Sequence, residues 1–312
     1  MGMYCFGIDV GGTSVKCGLF LTNGTLVEQW EIPTRLENNG SSILPDVADA
    51  IKTKLDERGI TKDNVDGVGI GIPGPVNENG EVPMAVNLHW GFKAVASELS
   101  ALTGLPAKAA NDANIAALGE AWKGAAEGAK NVILVTLGTG VGGGVILDQK
   151  IIAGKHGLGG EIGHIHVRDD EWEHCNCGGV GCLEQVSSAT GIAREARRTM
   201  AKSDKQSMLR QFGDNVSAKN VLDAAKAGDE MALEVMKTVS HYLGLALAQV
   251  ALTVDPEIFV IGGGVSKAGQ FLIDMIQKDY DHFTPISENK AKLGLATLGN
   301  DAGIYGAARL VL

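Results

Sequence analysis

Three cysteines within eight residues of one another are the most distinctive chemical feature of this chain. They are Cys175, Cys177 and Cys182, and the histidines near them in sequence are His164, His166 and His174. Three thiolates and one imidazole form a common tetrahedral donor set for structural zinc. We take His164 as the fourth ligand, because His174 directly precedes Cys175 and neighbouring residues seldom turn toward one ion. The alternative is three reduced thiols without a metal.

Two short glycine turns could surround phosphate groups. One, Gly11-Gly12-Thr13, follows an apolar run that ends near Asp9, and the other begins with Gly138-Thr139-Gly140 and is predicted to extend to Gly144. Backbone N–H groups and threonine hydroxyls at such turns can bind phosphates. Asp9 would then hold Mg²⁺ between phosphates, and Lys16 adds a positive charge. The alternative is that the glycines only shape hairpins and Asp9 caps a strand end.

Better-known phosphate motifs do not fit this chain. Gly69/Gly71/Gly74 and Gly138/Gly140/Gly143 match the pattern G-x-G-x-x-G. A dinucleotide fingerprint, however, needs a strand before the glycines and a helix after them. The first match runs into Pro75 and is predicted as a turn, and the second runs into another strand-like segment. The glycine-lysine pattern of P-loop enzymes is absent, so a dehydrogenase and a P-loop ATPase are both disfavoured.

The elements that would position these residues alternate between strands and helices. Strand-like runs cover 5–10, 15–21, 26–32, 65–72, 106–110, 132–137 and 258–261, and helical spacing covers 43–55, 95–102, 232–253, 267–280 and 303–312. A strand, a glycine turn with threonine and a second strand occur twice, which indicates two related α/β domains. We predict a small domain at 1–113, with helix 303–312 packing back on it, and a larger one at 114–302 that carries the cysteine loop.

Composition excludes several classes of protein. The 312 residues include 43 glycines, roughly twice the usual share of about 7%, which predicts close backbone approaches. A net charge of −10 disfavours nucleic acid as the main partner. No signal peptide or membrane-spanning segment is visible. We therefore expect a cytoplasmic protein, in which Cys5 and Cys17 are buried thiols.

Eight motifs, taken together and in order, carry a family resemblance. They are Asp9-x-Gly11-Gly12-Thr13-x-x-Lys16, Gly69-x-Gly71-x-Pro73-Gly74, Asn87-Leu88-x-Trp90, Asn111-Asp112-Ala113-Asn114, Gly138-Thr139-Gly140-x-Gly142-Gly143-Gly144, Glu161-x-Gly163-His164, Cys175-x-Cys177-Gly178-x-x-Gly181-Cys182-Leu183-Glu184 and Gly262-Gly263-Gly264. Over essentially its whole length the chain resembles the ROK family of repressors, open reading frames and kinases, and within it the bacterial glucokinases. The resemblance implies a two-domain, actin-like (ribonuclease H-like) α/β ATPase fold with sugar and ATP in the interdomain cleft.

The resemblance also implies roles for single residues. Asp112 falls on the general base that accepts the proton of the sugar 6-hydroxyl; its alternative role is to cap the helix that begins near Ala113. Sugar-contact positions are Asn87, Asn111, Asp112, Glu161, His164 and Glu184. Zinc positions are His164, Cys175, Cys177 and Cys182. Nucleotide and magnesium positions are Asp9, Gly11, Gly12, Thr13, Thr139 and Gly263, to which we add Lys16, Gly138, Gly140 and Gly264 from the glycine runs.

The implied activity is ATP-dependent phosphorylation of a hexose at its 6-hydroxyl, with glucose as the expected sugar. The implied cofactors are ATP, Mg²⁺ and structural Zn²⁺, and the expected assembly is a homodimer without nucleic acid or membrane partners. One alternative is a kinase of another sugar, such as N-acetylmannosamine, allose or fructose. Another is a relative of the sugar-responsive repressors that does not bind DNA. Family repressors carry a helix-turn-helix domain before the Asp9 strand, whereas eight residues precede Asp9 here.

Overall fold

A computed structural model describes residues 2–312 as an α/β protein with two five-stranded sheets. The strands are β1 Tyr4–Val10, β2 Ser14–Leu21, β3 Leu26–Pro33, β4 Val65–Ile72, β5 Ala107–Asn111, β6 Val132–Leu137, β7 Val141–Leu147, β8 Lys150–Ile151, β9 Ile258–Gly262 and β10 Lys292–Leu295. The helices are α1 Glu37–Gly40, α2 Ile43–Arg58, α3 Val95–Thr103, α4 Asp112–Lys123, α5 Glu184–Ser187, α6 Ala189–Lys202, α7 Ala218–Lys226, α8 Glu230–Val254, α9 Gln270–Phe283 and α10 Ala302–Leu310. The predicted α/β class is confirmed.

The first sheet is mixed, with strand order β3-β2-β1-β4-β5. Strand β1 pairs antiparallel with β2 and parallel with β4, and β4 pairs parallel with β5. Both faces of the central strands are buried, so each face needs a helical cover. Helix α2 contributes Ile43, Val47 and Ile51 to the same core as Phe6 and Ile8. The helical spacing of its apolar residues therefore matches the face that the sheet offers.

Helix α10 packs against the other face of the first sheet, at unusually close range. Gly7 and Gly69 are neighbours in β1 and β4, and a Cβ atom at either position would collide with the α10 backbone, at the carbonyl of Ile304 or of Ala307. Only glycine lets a helix backbone come this near to a strand. The absence of a side chain at these two glycines is therefore what allows α10 to pack against the sheet.

The predicted strand at 65–72 is confirmed, and the interpretation of Gly69, Gly71 and Gly74 as one turn is therefore wrong for the first two. Gly69 and Gly71 lie inside β4, where a Cβ on Gly71 would collide with the Ile115 side chain. Gly74 alone lies beyond the strand, with a φ of 121° that favours glycine. Spacing alone does not distinguish a glycine that allows close packing from one that allows a turn.

The second sheet has strand order β10-β9-β6-β7-β8, with β9 and β10 parallel. Helix α8 begins after Asp229, whose side chain accepts a hydrogen bond from the Ala232 N–H. The predicted turn from Gly138 to Gly144 is shorter than expected, since β7 already begins at Val141. Glycine at 144 is needed inside that strand, because a Cβ there would lie 2.6 Å from the Ala117 Cβ.

The chain divides into two compact units. The first unit comprises the residues up to Val132, Gly144–Gly160 and Thr297–Leu312, and the second comprises Ile133–Gly143 and Glu161–Ala296. In this grouping α4 and α10 belong to the first unit, and the cysteine loop belongs to the second. The assignment of evolutionary domains to 1–113 and 114–302 stays a prediction. No helix within residues 2–312 combines the length and apolarity needed to cross a bilayer.

Candidate functional site

The structure distributes the predicted site residues over both units. In the first unit lie Asp9, Gly11, Gly12, Thr13, Lys16, Asn87, Asn111 and Asp112. In the second unit lie Gly138, Thr139, Gly140, Glu161, His164, Cys175, Cys177, Cys182, Glu184, Gly263 and Gly264. Asn87 is exposed on a short 3-10 turn, Val86–Leu88.

Asp9 is the second-to-last residue of β1, and its carboxyl group is half-buried. Its strand neighbours are Lys16 on β2 and Gly71 on β4, and it also packs against Gly303 at the start of α10, where a Cβ would collide with the carboxylate. Burial raises the pKa of Asp9 to about 6, repulsion from Asp112 adds to this, and Lys16 opposes it. Two carboxylates that repel each other are a favourable place for a cation.

The Lys16 ammonium group already has two partners within the protein. Its ammonium donates a hydrogen bond to the Asn300 carbonyl at 3.1 Å and lies 3.8 Å from a carboxylate oxygen of Asp301. Both contacts connect β2 to the residues that lead into α10. A direct contact of Lys16 with nucleotide stays a prediction.

Asn111 and Asp112 occupy the junction between β5 and α4. The Asn111 Oδ1 atom accepts hydrogen bonds from the backbone N–H groups of Ala113 and Asn114, at 2.9 and 3.2 Å, and its Nδ2 atom donates to the Gly74 carbonyl at 3.0 Å. Asn111 is therefore the helix cap, and the alternative that Asp112 serves as the cap is wrong.

The Asp112 carboxyl accepts a hydrogen bond from the Ala113 N–H at 2.8 Å, and it also interacts with the Asn111 side chain and with its own backbone N–H. The group is open to solvent on one side, while burial by the surrounding protein raises its pKa. A carboxylate has about four lone-pair sites, so these local contacts still leave Asp112 able to accept a hydrogen bond from a substrate hydroxyl. This geometry allows Asp112 to act as a proton acceptor.

The glycines predicted to bind nucleotide fall into two groups. Gly11 and Gly263 are required by the fold, because a Cβ would lie 2.8 Å from the Ser14 carbonyl or 2.5 Å from the Leu137 carbonyl, whereas a Cβ on Gly140 would collide with the movable carboxylate end of Glu184. Gly12, Gly138 and Gly264 are not required by the fold, because a Cβ there would meet no atom closer than 4.0 Å and their φ angles are not left-handed. The second group leaves open space next to the backbone, as close approach of a ligand requires.

The predicted metal ligands converge in the second unit. The ligand atoms of His164, Cys175, Cys177 and Cys182 all lie within 4.8 Å of one another. The Sγ atoms of Cys177 and Cys182 are 3.7 Å apart, and the Cys175 Sγ is 3.8 Å from the His164 Nδ1. Thiolates about 2.3 Å from a tetrahedral zinc ion would lie about 3.8 Å apart. The residues present therefore fit a structural zinc ion.

The other candidate histidines are engaged elsewhere. The two ring nitrogens of His166 lie 2.8 Å from the Val180 carbonyl and 2.8 Å from a carboxylate oxygen of Asp169, and these two acceptors raise its pKa. His174 Nδ1 lies 3.4 Å from the Gly178 carbonyl. Both histidines thus stabilise the loop from outside the ligand cluster.

The protonation of the thiols also depends on the metal. Burial raises the pKa of Cys175 and of Cys182, whereas the Gly179 N–H donated to Cys177 lowers the pKa of that thiol. A coordinated thiol is deprotonated by the ion itself. The raised pKa values of Cys175 and Cys182 would therefore not prevent these thiols from binding a metal ion as thiolates.

Two carboxylates flank this cluster. A carboxylate oxygen of the exposed Glu161 lies 3.9 Å from the His164 Nε2, the nitrogen on the opposite side of the ring from Cys175. Glu184 accepts a hydrogen bond from the Val141 N–H at 2.9 Å and contacts the Cys175 thiol at 3.7 Å. His164 and Glu184 thus both contact the Cys175 sulfur, and Glu161 lies next to His164.

A cavity of about 330 Å³ lies beside the second glycine turn. Its lining includes Ala189, Lys219, Leu222, Val265 and Lys267, together with Gly264. The Ala189 N–H donates to the Gly138 carbonyl at 2.8 Å, which places the cavity next to that turn. Sequence reasoning missed the two lysines, because they lie on separate elements and no spacing relates them.

Comparison with known proteins agrees with this arrangement. The model of the ROK family matches residues 5–312. A glucokinase of Halalkalibacterium halodurans is 43% identical over 309 residues, covering 98% of this chain and 94% of that protein. A ROK hexokinase structure from Thermus thermophilus aligns with a TM-score of 0.82 at 30% identity, covering 98% of this chain and 97% of that one.

A second solved structure similar to this chain contains both a sugar and a nucleotide analogue. It is a ROK family glucokinase from Streptomyces griseus in complex with glucose and AMPPNP, with a TM-score of 0.73, 33% identity and 98% coverage of both chains. The family predicted from the ordered motifs is thereby confirmed, and with it the actin-like (ribonuclease H-like) α/β ATPase fold. The chain belongs to the ROK family.

Proposed function

We propose that this chain is an ATP-dependent hexose kinase that phosphorylates glucose at its 6-hydroxyl. The similarity to a glucokinase in complex with glucose and AMPPNP supports the substrates. The structural observation that carries the proposal is the cap of α4: Asn111 serves the backbone, so the Asp112 carboxyl stays available for a sugar hydroxyl.

The proposed reaction is an in-line transfer. Asp112 accepts the proton of the sugar 6-hydroxyl while that oxygen forms a bond to the γ-phosphorus and the bond from the γ-phosphorus to ADP breaks. Catalysis of this kind is mainly positioning and stabilisation of charge. Glu161 and Glu184 would accept hydrogen bonds from other sugar hydroxyls, and the His164 Nε2–H would donate one when Nδ1 ligates zinc, with Asn87 and Asn111 as further contacts.

The two metals would have different tasks. His164, Cys175, Cys177 and Cys182 would hold Zn²⁺ with all four positions filled, which fixes the loop that bears the sugar contacts and leaves no place for a reactive water. Asp9 would face Mg²⁺, which neutralises phosphate charge when bound. Each of the two glycine turns, and Gly263 and Gly264, would offer backbone N–H groups to phosphates, and the cavity near Lys219 and Lys267 would take the nucleoside.

Substrate choice is tested by measuring ADP release with a panel of hexoses and N-acetylhexosamines. We expect the highest kcat/KM with glucose, because the glucokinase similarity is the strongest indication of the sugar. Mannose, fructose, allose and N-acetylmannosamine are the informative comparisons. Equal activity across the panel would contradict glucose specificity, and absence of activity with every sugar would contradict the kinase proposal.

Replacing Gly12 with alanine separates ligand binding from folding. A Cβ at this position meets no atom of the chain, so we expect unfolding stability to be unchanged or raised by about 0.4–1 kcal/mol. The KM for ATP should rise at least about tenfold, because the methyl group would occupy the phosphate space. Gly91→Ala is the matched control, since a Cβ there also meets no atom within 4 Å. Unchanged ATP kinetics in Gly12→Ala would contradict the role of the first turn.

We also propose a reducing, cytoplasmic setting, because three free thiols that are meant to bind metal need one. The homodimer stays a prediction, and a molar-mass measurement in solution tests it. The repressor alternative gains no support from any feature of the site.

A further inference from the structure

In both glycine turns, backbone carbonyl oxygens accept hydrogen bonds from residues outside the turn. In the first turn, the Thr34 hydroxyl donates a hydrogen bond to the Gly11 carbonyl at 2.7 Å. The Thr34 N–H donates to the Thr13 carbonyl at 3.0 Å. Thr34 follows β3 directly and is half-buried, so a single residue fixes two carbonyls of this turn.

The second turn is held in the same way by the start of α6. The Ala189 N–H donates to the Gly138 carbonyl at 2.8 Å, and the Thr190 hydroxyl donates to the Thr139 carbonyl at 2.8 Å. Thr34 and Thr190 belong to different units and unrelated elements. In each turn, therefore, one carbonyl accepts a hydrogen bond from a threonine hydroxyl and another accepts one from a backbone N–H.

The hydrogen bonds of Thr190 can be assigned a direction. A carbonyl only accepts, so the single hydroxyl proton of Thr190 is used on Thr139. Ser188 Oγ, 2.9 Å from Thr190 Oγ1, must then donate to Thr190 while it accepts the Gly191 N–H as the cap of α6. Ser188 is fully buried, so a rigid helix start fixes the Thr190 hydroxyl.

Holding a carbonyl also orients an N–H group. A peptide unit is planar and trans, so the C=O of one residue points opposite to the N–H of the next. The hydroxyls of Thr34 and Thr190 therefore direct the N–H groups of Gly12 and Gly140 away from the segments that hold the turns, and Ala189 does the same for the N–H of Thr139. These three N–H groups belong to residues that the sequence assigned to nucleotide.

We propose that Thr34 and Thr190 are positioning residues for the nucleotide phosphates, acting through the peptide planes of the two glycine turns. Neither side chain needs to touch the nucleotide. The inference rests on the proposed ATP-dependent function. It adds that the backbone N–H groups that donate hydrogen bonds to the phosphates are oriented before the nucleotide binds.

The test uses Thr34→Val and Thr190→Val, which keep the side-chain shape but remove the hydroxyl. Thr34→Ser and Thr190→Ser restore the hydroxyl, and Thr199→Val is the matched control, because the Thr199 hydroxyl bonds only to the Glu195 carbonyl within the same helix, α6. We expect each valine variant on a turn to raise the dissociation constant of a non-hydrolysable ATP analogue about three- to tenfold. Glucose KM should stay within about twofold of wild type, and the serine variants should bind the analogue like wild type.

Binding of the analogue is measured by titration calorimetry, alongside Tm and both KM values. Equal analogue affinity in Thr190→Val, Thr34→Val and Thr199→Val would overturn the inference, as would serine variants that fail to restore binding. Wild-type protein that binds the analogue and phosphorylates a sugar shows that the proposed function holds regardless of these variants. Wild-type protein that binds no analogue would overturn both.

Discussion

Replacing Asp112 with alanine is expected to lower kcat by about 100- to 10,000-fold, the usual contribution of a positioned proton acceptor. Sugar should still bind, because the other proposed contacts, Glu161, Glu184 and His164, lie on the cysteine loop or next to it and do not depend on Asp112. The helix start should survive as well, since Asn111 provides the cap. The measurement combines kcat from ADP release with a sugar dissociation constant from fluorescence or calorimetry.

Asp112→Asn is the matched variant for this experiment. Its amide oxygen can still accept the Ala113 N–H that Asp112 accepts now, but the group no longer takes up a proton. A kcat loss as large as that of the alanine variant would locate the effect in proton transfer. Near-wild-type kcat in either variant would contradict the assignment of Asp112 as the base.

Removing the metal from the cysteine loop should destabilise the protein and weaken sugar binding together. We expect Cys182→Ser to lose its zinc, to become less stable by on the order of 3 kcal/mol, and to have a Tm lower by about 6–12 °C. Structural zinc contributes more than this to the folding free energy of small isolated sites. We expect a smaller loss here, because Cys182 is buried in a packed segment whose structure does not depend on the metal alone. Sugar KM should rise, since Glu161 and Glu184 flank the ligands.

Cys5→Ala is the matched control for the zinc experiment. Cys5 is a buried free thiol on the first sheet, so its replacement should leave the zinc content at one ion per chain. Zinc is measured by elemental analysis and Tm by calorimetry. A Cys182→Ser protein without zinc but with wild-type Tm and sugar KM would contradict the role given to the loop.

Much of the candidate site could be predicted from the spacing of residues, because its functional side chains lie in short segments of the sequence. The Cys175, Cys177 and Cys182 spacing indicated a metal site, and the structure brings the three sulfurs together with His164. The choice among three histidines depended on backbone geometry beyond the reach of spacing, since the ring of His166 is turned toward Asp169. The cap of α4 was equally undecided, because Asn111 and Asp112 are both good capping residues.

What sequence reasoning missed depends on contacts between distant segments. Gly69 and Gly71 look like turn glycines, yet their neighbours are Ala307 and Ile115, far away along the chain. The first turn and Thr34 are separated by β2 and β3, and no periodic pattern links a threonine to the carbonyl that it holds. Such roles emerge only when the register of the strands is known.

The seating of α10 on Gly7 and Gly69 has a consequence for synthesis of the chain. Strands β1 to β5 of the first unit precede the whole second unit in the chain, whereas the helix that covers one face of their sheet follows it. All segments of the second unit are made before α10 emerges. We therefore expect the second unit to be able to fold during translation, while the first sheet keeps an uncovered face until α10 has been synthesised.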